Sequence, residues 1–321
     1  MLGSYIRIEG LRIYGYEDRD DPGMEINECH HIDIWDNEIA FCGGGGVNFK
    51  HCDTIRVIGN EIHGNAYRNI DQHSGISVFQ PIPFDDPEGR YWSIEIRRNH
   101  CYRNHNYNPR PYGTTDGNGI ILDDYYYTQQ QFLLDWHRDR IGNATPYRGR
   151  TLVEGNLCRE NGGTGILCFL TDGVQIKNNT LVGNNQGIFN GDGSFRNRGQ
   201  LCMFDSDNAY LLNNILMSTA VEAASEYEGT PYAAVQMGGT GVFWENNMFY
   251  SSTGSSFLMN QDHIGFRGLF GNPNFRNPVA LDYRSDLGRN RGITWTGGHV
   301  YESFNSKEIR TGASDIGAFE F

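Results

Sequence analysis

The stretches LVEGNLCREN (152–161) and VQIKNNTLVGN (174–184) decide the fold, because they are two copies of one unit. Each copy starts with alternating apolar residues, continues with an asparagine, Asn156 or Asn179, and returns to apolar residues. The two asparagines are 23 residues apart. A unit this short cannot bury its apolar side alone, so the copies must stack on one another. The repeat therefore predicts a solenoid.

The repeat extends over most of the chain. Further copies of the unit have their asparagine at Asn37, Asn60, Asn99, Asn214 and Asn247. A second unit, a glycine followed by a short alternating strand, starts at Gly23, Gly46, Gly75, Gly119 and Gly165. A period near 23 with two or three short strands per turn is typical of a coiled parallel β-solenoid. Asparagine suits the turns between strands because it tolerates left-handed backbone, and stacked amides can form a hydrogen-bonded ladder.

The cysteines fit the same repeat. Cys101 and Cys158 each follow a repeat asparagine by two positions, so we expect them to stack inside the core as small apolar residues. The chain has seven cysteines, an odd number, without the spacing of a disulfide framework or a CxxC metal site.

The bulk composition excludes several classes of protein. The 321 residues include 41 Gly, 18 Tyr and 18 Phe, which indicates a β-rich, turn-rich chain that folds. The net charge of -13 disfavours binding to nucleic acid or to an anionic membrane. No apolar run is long enough for a membrane span. The N-terminal MLGSYIRIEG begins in a strand pattern with no signal peptide, which fits an intracellular protein or a mature secreted one.

With the two repeat units aligned in this way, residues 5–250 resemble the right-handed parallel β-helix proteins of the pectate-lyase-like superfamily. The stretches HSGISVFQP (73–81), TDGNGIILDD (115–124) and RTLVEGNLCRENGGTGI (150–166) are similar to a subgroup presumed to act on polysaccharides. The tail GNPNFRNPVALDYRSD (271–286) resembles the ends of secreted bacterial members. The resemblance implies one all-β domain over residues 1–321, a single-stranded right-handed parallel β-helix. It also implies secretion and a polysaccharide or oligosaccharide partner.

Insertions interrupt the regular repeat. They fall at about 63–74, 80–92, 104–118 and 124–149, and a C-terminal tail follows at about 251–321. A solenoid tolerates insertions only as loops that project from its side, so these should form walls beside one face. The longest contains TQQQFLLDWHRDRI (128–141), in which Thr128 and Gln131 have the spacing of a capping box. We expect one short helix there, packed on the flank.

Alignment of the glycine-started strands predicts which side chains share a face. Side chains alternate inward and outward along a strand. One outward column contains Asn27, Lys50, Phe79, Asp123 and Phe169. The next position, at the corner of each turn, contains Glu28, His51, Gln80, Asp124 and Leu170. Lys50 and Asp123, two turns apart, should then face one sugar ring, with His73 and Asp116 at the opposite end of the same face.

The candidate roles follow lyase chemistry, which the resemblance implies. A polysaccharide lyase removes the proton next to a uronate carboxylate, which needs a base and neutralisation of the carboxylate charge. The candidate catalytic residues are Lys50, His73, Asp123, Asp124 and Arg148. The candidate substrate-binding residues are His51, Gln80, Tyr125, Tyr126, Gln129 and Arg150. Asp116, Asp123 and Asp124 are suitable ligands for Ca²⁺, and no organic cofactor is expected.

Two other functions stay open. A glycoside hydrolase would use two carboxylic acids and no lysine. HSGIS (73–77) resembles a polygalacturonase stretch, but in those enzymes the paired Asp precedes the His, and their RIK motif is absent here. A non-catalytic binding shaft would need no convergence of acidic and basic groups. Each candidate also has a structural alternative, since Asp123 and Asp124 could bind turn amides and Lys50 could be a solvated surface residue. A homo-oligomer is also open.

Overall fold

The computed structural model describes residues 4–15, 20–68, 73–84, 92–107, 116–142, 146–186, 199–219, 232–252, 257–259, 263–289, 291, 301–302, 309–310 and 317–318. The first strands are β1 (Ser4–Glu9), β2 (Arg12–Tyr14), β3 (Met24–Asn27), β4 (His30–Trp35), β5 (Glu38–Ala40), β6 (Val47–Lys50), β7 (Asp53–Ile58), β8 (Glu61–His63), β9 (Ile76–Phe79), β10 (Trp92–Arg97), β11 (His100–Tyr102) and β12 (Ile120–Asp123). None of the helices within these ranges is long and apolar enough to cross a membrane.

The chain continues with strands of similar length. These are β13 (Arg150–Glu154), β14 (Leu157–Arg159), β15 (Ile166–Phe169), β16 (Val174–Lys177), β17 (Thr180–Val182), β18 (Gly199–Phe204), β19 (Tyr210–Leu212), β20 (Ile215–Ser218), β21 (Tyr232–Met237), β22 (Val242–Ser251), β23 (Phe257–Met259), β24 (His263–Phe270), β25 (Phe275–Asn277), β26 (Asp282–Ser285), β27 (Tyr301–Glu302) and β28 (Ile309–Arg310). The helical elements are α1 (Asp135–Ile141) and two 3₁₀ turns, Gln130–Phe132 and Pro278–Ala280.

The strands coil into a parallel β-helix. From β1 to β19, a strand pairs in parallel with the strand three positions later, so three strands make one turn. Strands β3, β6, β9, β12, β15, β18, β21 and β23 form an eight-stranded sheet. The other two faces join into a sixteen-stranded sheet through β22. The predicted all-β parallel β-helix is therefore confirmed, and the two antiparallel pairs β25–β26 and β27–β28 follow it.

The glycine-started strands have the predicted register. Val47, Ile76, Ile120 and Ile166 are aligned on successive turns and are fully buried. Each such side chain contributes about 1.5–3 kcal/mol through its burial. Cys101 is aligned with Cys158, and both are buried, as the sequence predicts.

The repeat asparagines form the predicted ladder. Asn99 shows the pattern, because its Oδ1 accepts hydrogen bonds from both N (3.0 Å) and Nδ2 (2.9 Å) of Asn60. Its own Nδ2 donates to Asn156 Oδ1 and to Val57 O. The same bonds connect the buried residues Asn37, Asn60, Asn99, Asn156, Asn179, Asn214 and Asn247. The ladder thus satisfies the backbone at one corner of every turn.

A second ladder runs parallel to the first and was not predicted. It connects the buried amides of Asn65, Asn104, Asn161, Asn184 and Gln200. Its first four members each follow a residue of the first ladder by five positions, and that recurrence was a signal that the sequence offered.

The flanking helix is present, but it starts later than predicted. Thr128 does not cap a helix; its N and Oγ1 both donate to Asp124 Oδ1. The 3₁₀ turn Gln130–Phe132 follows, and α1 begins only at Asp135. The capping-box prediction was wrong because a buried carboxylate four residues upstream binds the Thr128 amide and hydroxyl. The segment packs on the flank as expected, since Leu133 and Ile141 are buried.

Candidate active site

The predicted stripe of outward side chains lies on the eight-stranded sheet. Lys50 is aligned with Phe79, and Phe79 with Asp123, on the adjacent strands β6, β9 and β12. All three residues are half-buried. Neighbouring strands are about 4.8 Å apart, so Lys50 and Asp123 are separated by about 10 Å of backbone, with an aromatic ring between them. The register therefore brings a cation and a carboxyl group to opposite sides of a flat apolar surface.

Lys50 extends into a pair of aromatic rings. Its Nζ lies 4.4 Å from the ring centroid of Phe132 and 5.8 Å from that of Phe79. The two rings meet edge to face at 5.6 Å. Phe132 comes from the 3₁₀ turn of the longest insertion and is 41% exposed. The insertion therefore covers one side of the Lys50 ammonium group, which the repeat alignment alone did not predict.

The surroundings of Asp123 favour the protonated form of its carboxyl group. Its Oδ1 is buried and has no hydrogen-bond partner. Burial, followed by the nearby charges of Asp116 and Asp124, raises the pKa of Asp123 well above its usual value. A neutral carboxylic acid beside a half-exposed aromatic ring is suited to donate a proton to a bound ligand.

The opposite end of the same face contains a second polar group. His73 Nδ1 lies 2.9 Å from Asn48 Nδ2 and 3.4 Å from Gly45 N. Both partners are N–H donors, so Nδ1 accepts and the neutral ring carries its proton on Nε2. Asn48 also donates to Glu25 Oε2. Asp116 is close to His73, because Gly117 N donates to the carbonyl of His73.

The corner residues are buried, and the structure corrects their predicted exposure. Glu28, His51, Gln80 and Asp124 all have positive φ, between 46° and 57°, as a tight corner requires. His51, Gln80 and Asp124 form a chain of hydrogen bonds, from His51 Nε2 to Gln80 Oε1 (3.0 Å) and from Gln80 Nε2 to Asp124 Oδ2 (2.7 Å). All three side chains are covered, so His51 and Gln80 do not line a substrate surface.

Asp124 was predicted as a catalytic residue and a calcium ligand, and the structure contradicts both roles. Its carboxylate accepts four hydrogen bonds, from Gln80 Nε2, Thr128 N, Thr128 Oγ1 and Gln129 N. These donors use its lone pairs, and the residue is fully buried. The alternative reading, in which Asp124 binds turn amides, is therefore correct.

We expect Asp124→Asn to lower the free energy of unfolding by about 2 kcal/mol, because one amide nitrogen would face buried donors that lose their acceptor. Urea unfolding measures this difference. Asp123→Asn is the matched control, since Asp123 Oδ1 has no hydrogen bond to lose. Equal stability of the Asp124 variant and the wild type would contradict a structural role for this carboxylate.

The tyrosine run does not form a sugar platform. Tyr125 and Tyr127 are fully buried, with hydroxyls that bond Thr151 Oγ1 and Pro81 O, so the prediction that Tyr125 binds substrate is wrong. Tyr126 is half-buried and turns to a different place, where its hydroxyl donates to the carboxylates of Asp172 and Asp207. Strand periodicity could not predict which of these tyrosine side chains are buried, because the three residues lie in a turn and not in a strand.

The two predicted site arginines, Arg148 and Arg150, also lie away from the stripe. Arg148 is exposed, and its charge acts on Asp172, whose pKa burial raises. Arg150 begins β13 in the sixteen-stranded sheet, and its guanidinium stacks on Trp92 at 4.1 Å. Gln129 is half-buried, with its backbone bonded to Asp124 and Gln80. The structure thus brings together Lys50, Phe79, Asp123 and Asp116, but not Arg148, Arg150, Tyr125 or Tyr126.

Asp124, one of the three predicted calcium ligands, does not fit the ion. Asp124 has no lone pair left for a metal, and a hard cation needs several converging oxygens. Within the part of the chain that the structure describes, one group of three metal-binding side chains has its ligand atoms within 4.8 Å of one another: Glu28, His51 and His137.

The Glu28 cluster does not fit a metal either. Leu134 N donates to His137 Nδ1 (3.0 Å), so the neutral ring carries its proton on Nε2, the atom that faces Glu28. A metal-binding histidine instead donates through its second nitrogen. His137 was missed by sequence analysis, because the position of an insertion cannot be read from the repeat.

The fold has counterparts among solved structures, at low similarity. No protein-family model matches this sequence, and no curated protein gives a significant match. The A-module of mannuronan C-5 epimerase AlgE4 of Azotobacter vinelandii is 13% identical, with a TM-score of 0.43 over 84% of this chain and 56% of that one. The periplasmic alginate epimerase AlgG is 12% identical, with a TM-score of 0.44 over 82% and 51%. Pectate lyase Pel9A is 12% identical, with a TM-score of 0.45 over 92% and 73%.

This chain therefore spans about half the length of the two epimerases. At such identities and scores the activities in these names belong to those proteins alone. The strand order and register of this chain establish its own architecture as a parallel β-helix.

Proposed function

We propose that this protein is an enzyme that cleaves an acidic polysaccharide along the outer face of the eight-stranded sheet. One observation carries the proposal: Lys50, Phe79 and Asp123 occupy successive turns, half-exposed, and burial raises the pKa of the Asp123 carboxyl group. A sugar ring would stack on Phe79, whose flat face suits pyranoses. The Lys50 amino group on one side and the Asp123 carboxyl group on the other would then contact the same ring.

The reaction that these groups favour is β-elimination from a uronic-acid residue. Lys50 would act as the base and take the proton next to the uronate carboxylate. The bond from the neighbouring ring carbon to the glycosidic oxygen would break, and a carbon–carbon double bond would form. Asp123 would give its proton to the leaving oxygen. His73 lies at the opposite end of this face, so it would contact a neighbouring sugar of the same polysaccharide and not the ring on Phe79. No step of this reaction depends on calcium.

A second candidate is hydrolysis, and one observation favours it. The charge of Asp116 helps to raise the pKa of Asp123, so the two carboxyl groups interact electrostatically. Such a pair is the pattern of a glycoside hydrolase, in which one group is the acid and the other the base. The extracellular location predicted for this chain is part of either proposal.

A product assay on a panel of polyuronates and neutral glycans separates these functions. We expect an unsaturated, ultraviolet-absorbing product from at least one polyuronate, with and without a chelator. New reducing ends without ultraviolet absorbance would show hydrolysis instead. No product from any glycan would contradict enzymatic activity and favour a binding shaft.

A further inference from the structure

Helix α1 rests on the corner of the β-helix through one buried polar side chain. Its buried residues are His137 and Ile141, and His137 is fully enclosed. The His137 ring lies 4.1 Å from the ring of His51. Its Nε2, which carries the proton, lies 3.3 Å from Glu28 Oε1 but forms no well-aligned hydrogen bond. The helix is therefore docked by this cluster of two histidines and a carboxylate, by the buried Ile141, and by hydrogen bonds from Arg140 to the carbonyls of Pro83 and Phe84.

The start of the insertion is connected to His51 by a chain of hydrogen bonds. His51 Nε2–H donates to Gln80, because the Gln80 amide nitrogen is committed to Asp124. Asp124 in turn holds the Thr128 and Gln129 amides, at the entrance to the 3₁₀ turn. A change at His51 is thus connected with the position of the whole segment 128–141.

The surroundings lower the pKa of both histidines. Burial lowers the pKa of His51 to about 4, and the charges of His137 and Lys50 act in the same direction. Burial also lowers the pKa of His137, with Lys50 and Arg138 adding to it and Glu28 opposing it. A small cavity of about 10 Å³ beside His51 is bordered by further titratable groups, namely His30, Asp53 and Arg140. That volume holds about one water molecule.

We propose that residues 130–141 form a pH-sensitive flap over Lys50, latched by His51 and His137. The flap residue that reaches Lys50 is Phe132, whose ring centroid is 4.4 Å from Nζ. Two imidazolium rings in van der Waals contact repel each other and lose their hydration, so protonation favours release of α1. The effect on Lys50 matters for catalysis only under the proposed function; the docking equilibrium itself does not depend on it.

The direction of the pH dependence follows from the lowered pKa values. A histidine whose pKa is lower in the docked state stabilises docking fully above its ordinary value of about 6.5. That stabilisation is lost as the pH falls toward the docked value, about 4 for His51. For each histidine that must be neutral in the docked state, the equilibrium constant for docking of α1 should fall by up to about tenfold per pH unit.

Amide hydrogen exchange of α1 tests the flap without any substrate. In the wild type, protection of the amides of Asp135–Ile141, corrected for the intrinsic pH dependence of exchange, should fall at least about tenfold from pH 7 to pH 5. The double variant His51→Gln/His137→Gln should keep its protection over this range. His63→Gln, on another face, should behave as the wild type. Constant protection in the wild type, or the same loss in the double variant, would overturn the proposal.

A second measurement covers the case in which the double variant does not dock at neutral pH. Nuclear magnetic resonance titration of the wild type gives each histidine pKa directly. We expect His51 and His137 to titrate below about 6.5, together with the amide signals of α1. Ordinary titration of both rings with unchanged α1 signals would overturn the flap. It would leave the proposed cleavage reaction untouched, since that reaction is measured by its product.

Discussion

Asp123→Asn is expected to reduce cleavage of the active polysaccharide by about 10²–10⁴-fold, because asparagine keeps the shape of a neutral carboxyl group but cannot donate its proton. Stability should not fall near neutral pH. The raised pKa of Asp123 means that its contribution to stability is full below about pH 4 and is lost as the pH rises through the folded value. Asparagine does not titrate, so the stability of the variant does not decrease in this way as the pH rises. Product assays and thermal unfolding measure the two effects.

Asp116→Asn is the matched variant, since it removes the adjacent charge but leaves Asp123 in place. For elimination we expect activity to persist, with its decline at high pH moved to lower pH, because the charge of Asp116 raises the pKa of Asp123. For hydrolysis the loss should match that of Asp123→Asn. Full activity of Asp123→Asn would remove the site assignment.

The part of the site that lies on repeat strands could be predicted from sequence. Gly46, Gly75 and Gly119 each start a short strand, and counting four positions from each gave Lys50, Phe79 and Asp123 as neighbours. The prediction succeeded because backbone hydrogen bonding and inward packing fix the register of every turn. A slip by one residue would turn the buried residues Val47 and Ile76 to the outside.

The residues within the longest insertion could not be placed in the same way. Tyr125, Arg148 and His137 lie where no repeat defines a position, so their contacts depend on tertiary packing alone. Tyr125 packs against Tyr147, and His137 packs against His51. Neither partner is signalled by spacing or periodicity. Predictions for Tyr125 and Arg148 rested on residue type, and the structure directs these side chains elsewhere.

The sequence predicted the positions of the corner residues correctly, but it did not predict that they are buried. His51, Gln80 and Asp124 follow one another in the predicted order. The sequence suggested exposure, because each residue is polar and outside the inward pattern. In the structure α1 and the turn after β12 cover them, and hydrogen bonds join the three side chains to one another and to the turn. Polar residues at a corner therefore indicate hydrogen bonding, and exposure has to be established separately.

Asn99→Leu is expected to lower the free energy of unfolding by roughly 2–6 kcal/mol, since two buried donors, N and Nδ2 of Asn60, lose their acceptor at about 1–3 kcal/mol each. Asn156 Oδ1 keeps only the bond from the backbone of residue 99. Leucine has a similar volume, so the loss reports hydrogen bonding more than a cavity. Urea unfolding measures it.

Asn37→Leu makes the same substitution near the end of the ladder, where Oδ1 accepts one bond, from Leu11 N. We expect less than half the destabilisation there, because only one donor loses its acceptor and that donor belongs to the exposed residue Leu11. A solenoid is held by contacts between adjacent turns, so a break at Asn99 should also uncouple the two halves and broaden the unfolding transition. If both variants were as stable as the wild type, the amide ladder would contribute nothing to this fold, and side-chain packing alone would hold the turns in register.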